Sequence, residues 1–183
     1  MNIAAVPEYV CKAAGDFTGC PPGHYFNLYF PTWKSGWQLD KNGKAGALRR
    51  VLKLGCAKAV LDALCSRQMV LAEALPADRH YILEACSTAP FATGLGLEHP
   101  IENGFAFLSP YGLPYLAGSG VKGVLRRAAE DLCGEANEIV KALFGHEDAN
   151  DARRGALTCW DVFPIPPENG SHKDSLVVEI MTP

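Results

Sequence analysis

An α+β fold is what this sequence predicts, on three observations. Apolar residues recur at helical spacing across 44–75, and they do so again from Ser119 to a stopping Gly134. Short apolar runs at 81–86, 105–108, 156–160 and 175–181 have the length and the flanking turn residues of strands. A chain of 183 residues can bury one good core, or one domain with a helical extension, and is short for two full domains. A hydrophobic fraction of 48% with 20% charged residues excludes a disordered or fibrous chain.

Residues 1–43 are rich in Pro, Gly and aromatics, including Pro21-Pro22-Gly23, Phe30-Pro31, Trp33 and Trp37, which predicts irregular structure pinned by buried rings. In 44–75, Leu48, Val51, Leu52, Ala59, Val60, Ala63 and Leu64 share helical spacing, so one or two amphipathic helices are expected before Pro76. Tyr81-Ile82-Leu83-Glu84-Ala85-Cys86 then reads as a buried strand, and Phe105-Ala106-Phe107-Leu108 as a second. The clearest helix follows a glycine-rich loop. Ser119 can cap it, Val121, Val124, Leu125, Ala128, Ala129 and Leu132 form its apolar stripe, and Gly134 ends it. A shorter helix, Asn137 to Phe144, stops at Gly145, and strands are expected at Ala156–Trp160 and Ser175–Met181. The division expected is an irregular and helical extension at 1–79 and an α+β domain at 80–183, whose C-terminal part is expected to be missing because the chain stops at the end of a strand.

No apolar run approaches the roughly 18–20 residues that span a bilayer. The N-terminus Met1-Asn2-Ile3-Ala4-Ala5 has no charged lead into an apolar core, so a cytoplasmic protein without a membrane partner is expected. Seven cysteines, at 11, 20, 56, 65, 86, 133 and 159, form no C-x-x-C pair, a pattern of reduced and mostly buried thiols rather than of a disulfide framework or zinc site.

A net charge of −3 does not advertise a nucleic-acid binder, but the charge is unevenly placed. Lys41, Lys44, Arg49, Arg50, Lys53 and Lys58 lie in one stretch without an acid, whereas 128–183 holds eleven acids against four bases. Two faces of opposite sign follow, one suited to RNA and the other to a protein neighbour or to solvent.

Gly118-Ser119-Gly120-Val121-Lys122-Gly123 matches G-x-G-x-x-G in form, yet its approach, Pro110-Tyr111-Gly112-Leu113-Pro114-Tyr115-Leu116, carries two prolines that a central parallel strand rejects. No Ser or Thr follows Lys122 to hold magnesium, so it is not a Walker loop. What remains is general. Glycines let the backbone approach an anion, and amides at a helix N-terminus favour phosphate. Lys122 and Arg126 fall four apart on one helix face with Arg127 beside them, an arrangement for holding a nucleic-acid backbone without reading bases. The plain alternative is a tight loop with solvated arginines. The expected RNA contacts are Gly118, Ser119, Gly120, Lys122, Gly123, Arg126 and Arg127, joined by Arg49, Arg50 and Lys53 from the basic stretch.

The loop arrives in company. Thr93-Gly94-Leu95-Gly96, His99-Pro100, Glu102-Asn103-Gly104 and then Gly112 through Arg127 resemble the RAMP (repeat-associated mysterious protein) superfamily of CRISPR proteins. Leu143-Phe144-Gly145, followed by Gly155-Ala156-Leu157 and Trp160-Asp161, is similar to that superfamily's second signature. Within it, the chain most resembles the sixth-subunit family of the type III-B Cmr effector complex, well over 80–183 and loosely before. Relatives usually carry Pro-Gly-Ser-Ser ahead of the Lys-Gly pair, where this chain has Ala117-Gly118-Ser119-Gly120. The resemblance implies a ferredoxin-like, RNA-recognition-type domain that holds guide RNA (crRNA), with target RNA and other Cmr RAMP subunits as partners, and no chemistry or cofactor of its own.

Enzyme readings are weaker. Some relatives cleave repeat RNA without metal through His, Tyr or Lys, and His24, His80, His99, His146 and His172 are available here, His99 being the best placed. Asp161 and the group Glu147, Asp148 and Asp151 offer carboxylates, though nothing in the pattern gathers them round a metal. Tyr111 and Tyr115 could stack on bases, while the alternation of Phe105 and Phe107 is that of a core.

Overall fold

Proline opens the first two helices, at the one place where its missing N–H is not needed. Pro7 precedes α1 (Glu8–Ala14), and Pro22 is the first residue of α2 (Pro22–Leu28). The computed structural model describes residues 2–55, 58–135, 137–147, 152–165 and 176–178, in two compact units, Met1–Pro114 with Phe163–Pro183 and Tyr115–Val162.

In the first unit a 3-10 turn at Lys41–Gly43, capped by the Asp40 carboxylate on the Asn42 amide, runs into α3 (Lys44–Lys53), and α4 spans Lys58–Glu73. These two helices, ended before Pro76, are the ones expected. Residues 1–43 differ from expectation in holding α1 and α2, but the rings do pin them. Tyr25, Phe26 and Phe30 bury themselves against Ala47, Val51, Leu54 and Ile101, with Phe105 and Phe107 packed on that cluster as core. A smaller cluster joins Leu61 and Leu64 of α4 to Leu113. Gly23 permits the close approach of α2 to 107–112, where its amide donates to the Gly112 carbonyl at 2.8 Å. Trp37 does not belong to the core and is 63% exposed.

The strands fall short of the sequence pattern. Two hairpins lie in this unit, β1 (Glu98–His99) with β2 (Glu102–Asn103) and β3 (Phe107–Leu108) with β4 (Leu113–Pro114), both antiparallel. Of the run at 105–108 only Phe107 and Leu108 pair. Tyr81–Cys86 forms no strand, and Tyr81 and Leu83 are each 88% exposed. A single extended segment cannot satisfy its own backbone groups, and among the described residues no strand lies beside this one. Of Ser175–Met181, only 176–178 are described, without strand pairing, and the rest lies outside the described residues.

In the second unit, α5 (Gly118–Cys133) ends at Gly134, whose φ of 90° breaks the helix, as expected. Ser119 is not its cap. It sits inside the first turn, and Ala117 holds the cap position without a side-chain bond. Of the α5 stripe, Val121 and Ala129 are half-buried, while Val124 (71%) and Leu132 (86%) are exposed. Asn137 caps α6 (Glu138–Phe144) by accepting from the Ile139 and Val140 amides, and β5 (Gly145–His146) pairs antiparallel with β6 (Arg153–Arg154). Ala156–Trp160 is not a strand. The Ala156 and Leu157 amides instead donate to the Ala142 and Leu143 carbonyls at the end of α6, which have no helical partner.

Helices and small antiparallel strand pairs together make the chain α+β. Among the described residues no helix is long and apolar enough to cross a membrane. The described cysteines, Cys11, Cys20, Cys65, Cys86, Cys133 and Cys159, are free thiols, half-buried or exposed rather than buried as expected. Cys56 lies outside the described residues.

Candidate nucleic-acid interface

The entrance to α5 is built by main chain crossing main chain. Leu116 and Val162 exchange both backbone hydrogen bonds, at 2.9 and 2.8 Å, and lay residues 159–162 beside the start of the helix. Gly118 is buried beneath Cys159 and Trp160, where a methyl group would collide with the Cys159 carbonyl oxygen. Its amide donates to Asp161 Oδ1 at 2.8 Å. The first donor of the helix is thus taken by a carboxylate, a role the sequence did not disclose for Asp161. Ser119, Gly120 and Gly123 are exposed. The first intrahelical bond is that of Val121 to Ala117, so the Ser119 and Gly120 amides belong to the helix's open first turn.

One turn further, the Lys122 ammonium donates to the Leu157 carbonyl at 2.7 Å, using one of its three donors. Lys122 also lines an open groove of about 210 Å³ with Arg126, Phe144, Gly145, His146, Glu147, Arg153, Arg154 and Gly155. Among the described residues that line it, four carry Lys or Arg side chains and one, Glu147, a carboxylate. The groove's far wall depends on Gly155, which packs so tightly on the main chain of Leu143–Gly145 that no side chain fits. That approach carries β6 against β5 and brings the arginine pair to α5.

Arg126 pairs with Glu130 at 2.7 Å, and Arg127 with Asp131 at 3.1 Å and Glu135 at 3.5 Å. Glu130 is half-buried, whereas the Arg127 pairs are exposed and, as such pairs do, contribute little and exchange readily for another anion. In the first unit, Arg49 and Lys53 are exposed one turn apart on α3, opposite its buried Ala47 and Val51. Arg50 is engaged otherwise, donating to the Asp16 carbonyl at 2.6 Å with its guanidinium 5.6 Å from the Tyr25 ring centre. The expected contacts therefore fall into two sets, Arg49, Arg50 and Lys53 in one unit and Gly118 to Arg127 in the other. Arg153, Arg154 and His146 were missed. Their signal was the arginine pair beside Gly155, ten residues after the Phe144-Gly145 corner, but spacing alone does not place it against α5.

His99, the best placed histidine in the sequence, does packing work. Its ring stacks on Phe26 at 4.1 Å, Nε2 donates to the Phe26 carbonyl at 3.0 Å, and Nδ1 accepts from the Ile101 amide at 3.4 Å. Burial lowers its pKa and keeps it neutral. His24 and His80 donate to the Pro110 and Pro76 carbonyls. His172, Asp148 and Asp151 lie outside the described residues. Among the described residues no three metal-ligating side chains come together.

The arrangement can hold phosphate by charge and by hydrogen bonds. Residues 87–181, just over half of the chain, match the model of the RAMP superfamily, a stretch that contains the whole of α5 and the groove. Comparison with curated proteins gave no match, and comparison with solved structures gave none either.

Proposed function

The chain belongs to the RAMP superfamily, and from that premise we propose that it is a non-catalytic, RNA-binding structural subunit of a CRISPR effector complex in antiviral defence. The complex is of the type III-B Cmr kind, in which this chain takes the part of the sixth subunit. It holds the crRNA backbone through the loop at 118–123 and the basic face of α5, and it neighbours other RAMP subunits in the cytoplasm. Residues 80–183 form a ferredoxin-like RAMP domain in this reading, with 1–79 as an extension.

The observation that carries it is the basic groove, in which Lys122 and Arg126 of α5 meet Arg153 and Arg154 inside the family-matched stretch. Phosphate neutralisation by such groups releases counterions and makes affinity fall with salt, at about 0.7 in log-log slope per contact on a single strand. Titration of the full chain with labelled single-stranded RNA of mixed sequence across a salt series tests it. Lys122→Ala should weaken binding and flatten the slope by about 0.7. Unchanged slope and affinity would remove Lys122 as a phosphate ligand, and the RNA should stay intact after long incubation in chelator.

A further inference from the structure

We propose that phosphate is seated in the side-chain groove between α5 and β6 rather than on the amide end of α5, and that Asp161 determines this by filling the helix end with the chain's own carboxylate. The inference rests on the RNA-binding reading and narrows it: within 118–123 the Lys122 side chain holds the backbone, and the amides of the loop do not.

Three features argue for it. A helix N-terminus attracts anions through its open amides and a partial positive charge of about half a unit. Here the first amide, that of Gly118, is buried and already donates to Asp161. A phosphate approaching the neighbouring Ser119 and Gly120 amides would meet a full negative charge one or two residues away, so the end that usually attracts anions is largely neutralised. Among the described residues that line it, the groove has the opposite balance, with Lys122, Arg126, Arg153 and Arg154 against Glu147.

The groove is also held in shape before any ligand arrives. Lys122 is tied to the Leu157 carbonyl, and β6 is fixed by its pairing with Gly145 and His146 and by the close seat of Gly155. Consecutive strand residues point to opposite faces, so one of Arg153 and Arg154 carries the larger share of the contact. A seat made of side-chain cations grips any phosphodiester, which leaves the bases free to pair.

The test compares Asp161→Asn, Arg153→Ala and Arg154→Ala with the parent chain, using the same mixed-sequence RNA and salt series, with thermal melts alongside. Asparagine keeps an acceptor for the Gly118 amide while removing the charge. Asp161→Asn should therefore tighten binding about three- to tenfold at low salt, an effect that fades as salt screens it. At least one arginine variant should weaken binding and flatten the slope by about 0.7. Both arginines are exposed, and the melts report whether either substitution disturbs the fold, so an arginine variant that melts like the parent decides the matter even if Asp161→Asn fails to fold. Parent-like affinity in both arginine variants, or unchanged binding in a folded Asp161→Asn, overturns the proposal. If those outcomes appear while Lys122→Ala still weakens binding, only this seat is wrong. If the parent chain binds no RNA at all, the broader reading falls with it.

Discussion

α3 and α5 are both amphipathic and both basic, yet they are anchored in opposite ways. α3 buries Ala47 and Val51 against the Tyr25, Phe26 and Phe30 rings and turns Arg49 and Lys53 outward. α5 leaves Val124 and Leu132 in solvent, and its one buried residue is Gly118. The first helix is held by apolar side chains removed from water, the second by its packing on α6 and by main chain lying directly on main chain, at Gly118 beneath Cys159 and Trp160. Under the proposed function, the difference would be that of a scaffold and a working surface. Where side chains are not committed to a core, they are available to a ligand, and the backbone must supply the rigidity instead.

The sharpest way to break this contrast is to remove one anchor from each region. Phe26→Ala deletes a ring that is almost wholly buried and stacked on His99, and should cost about 3–5 kcal/mol in urea unfolding. Gly118→Ala adds only a methyl group, but main chain would have to move to admit it. It should cost about 1–3 kcal/mol and reduce hydrogen-exchange protection across 115–162 while leaving 22–54 protected. The exposed Val124→Ala, by comparison, should stay within about 0.5 kcal/mol of the parent. If Val124→Ala proved as damaging as Gly118→Ala, α5 would be held by its apolar side after all.

A smaller effect separates the two regions by pH. His99 is kept neutral by burial in the ring cluster, so its folded pKa lies below its unfolded value. The unfolded chain therefore binds the extra proton first. The stability that neutral His99 contributes is complete above the usual imidazole value of about 6.5 and is lost as pH falls through the lowered folded value. The melting temperature should drop between about pH 7 and pH 5, and His99→Gln should reduce that drop. A parent and variant with parallel pH profiles would show that this ring does not titrate on unfolding.

Most of the helices were legible in the sequence because their signals are local. Asn137, Gly134 and Gly145 act on amides and carbonyls within a turn of themselves, and Lys122 with Arg126 needed only a four-residue interval. The strands were not legible, since pairing depends on what lies alongside, and the apolar pattern of Tyr81–Cys86 carries no information on that. Asp161 shows the same limit within the site. It reaches Gly118 across 43 residues of sequence, and Arg153 and Arg154 reach the groove only because Gly155 lets two backbones touch. The resemblance to RAMP proteins pointed to residues 118–127, while what surrounds them came from contacts that no short motif encodes.

Lys122 illustrates what such surroundings do for recognition. A lysine waving in solvent samples many rotamers, and stilling one on complex formation costs about 0.5–1.5 kcal/mol. With its tip moored to the Leu157 carbonyl, this side chain has surrendered that freedom during folding, so under the proposed function its grip on a passing strand would start from a stretched arm rather than a loose one.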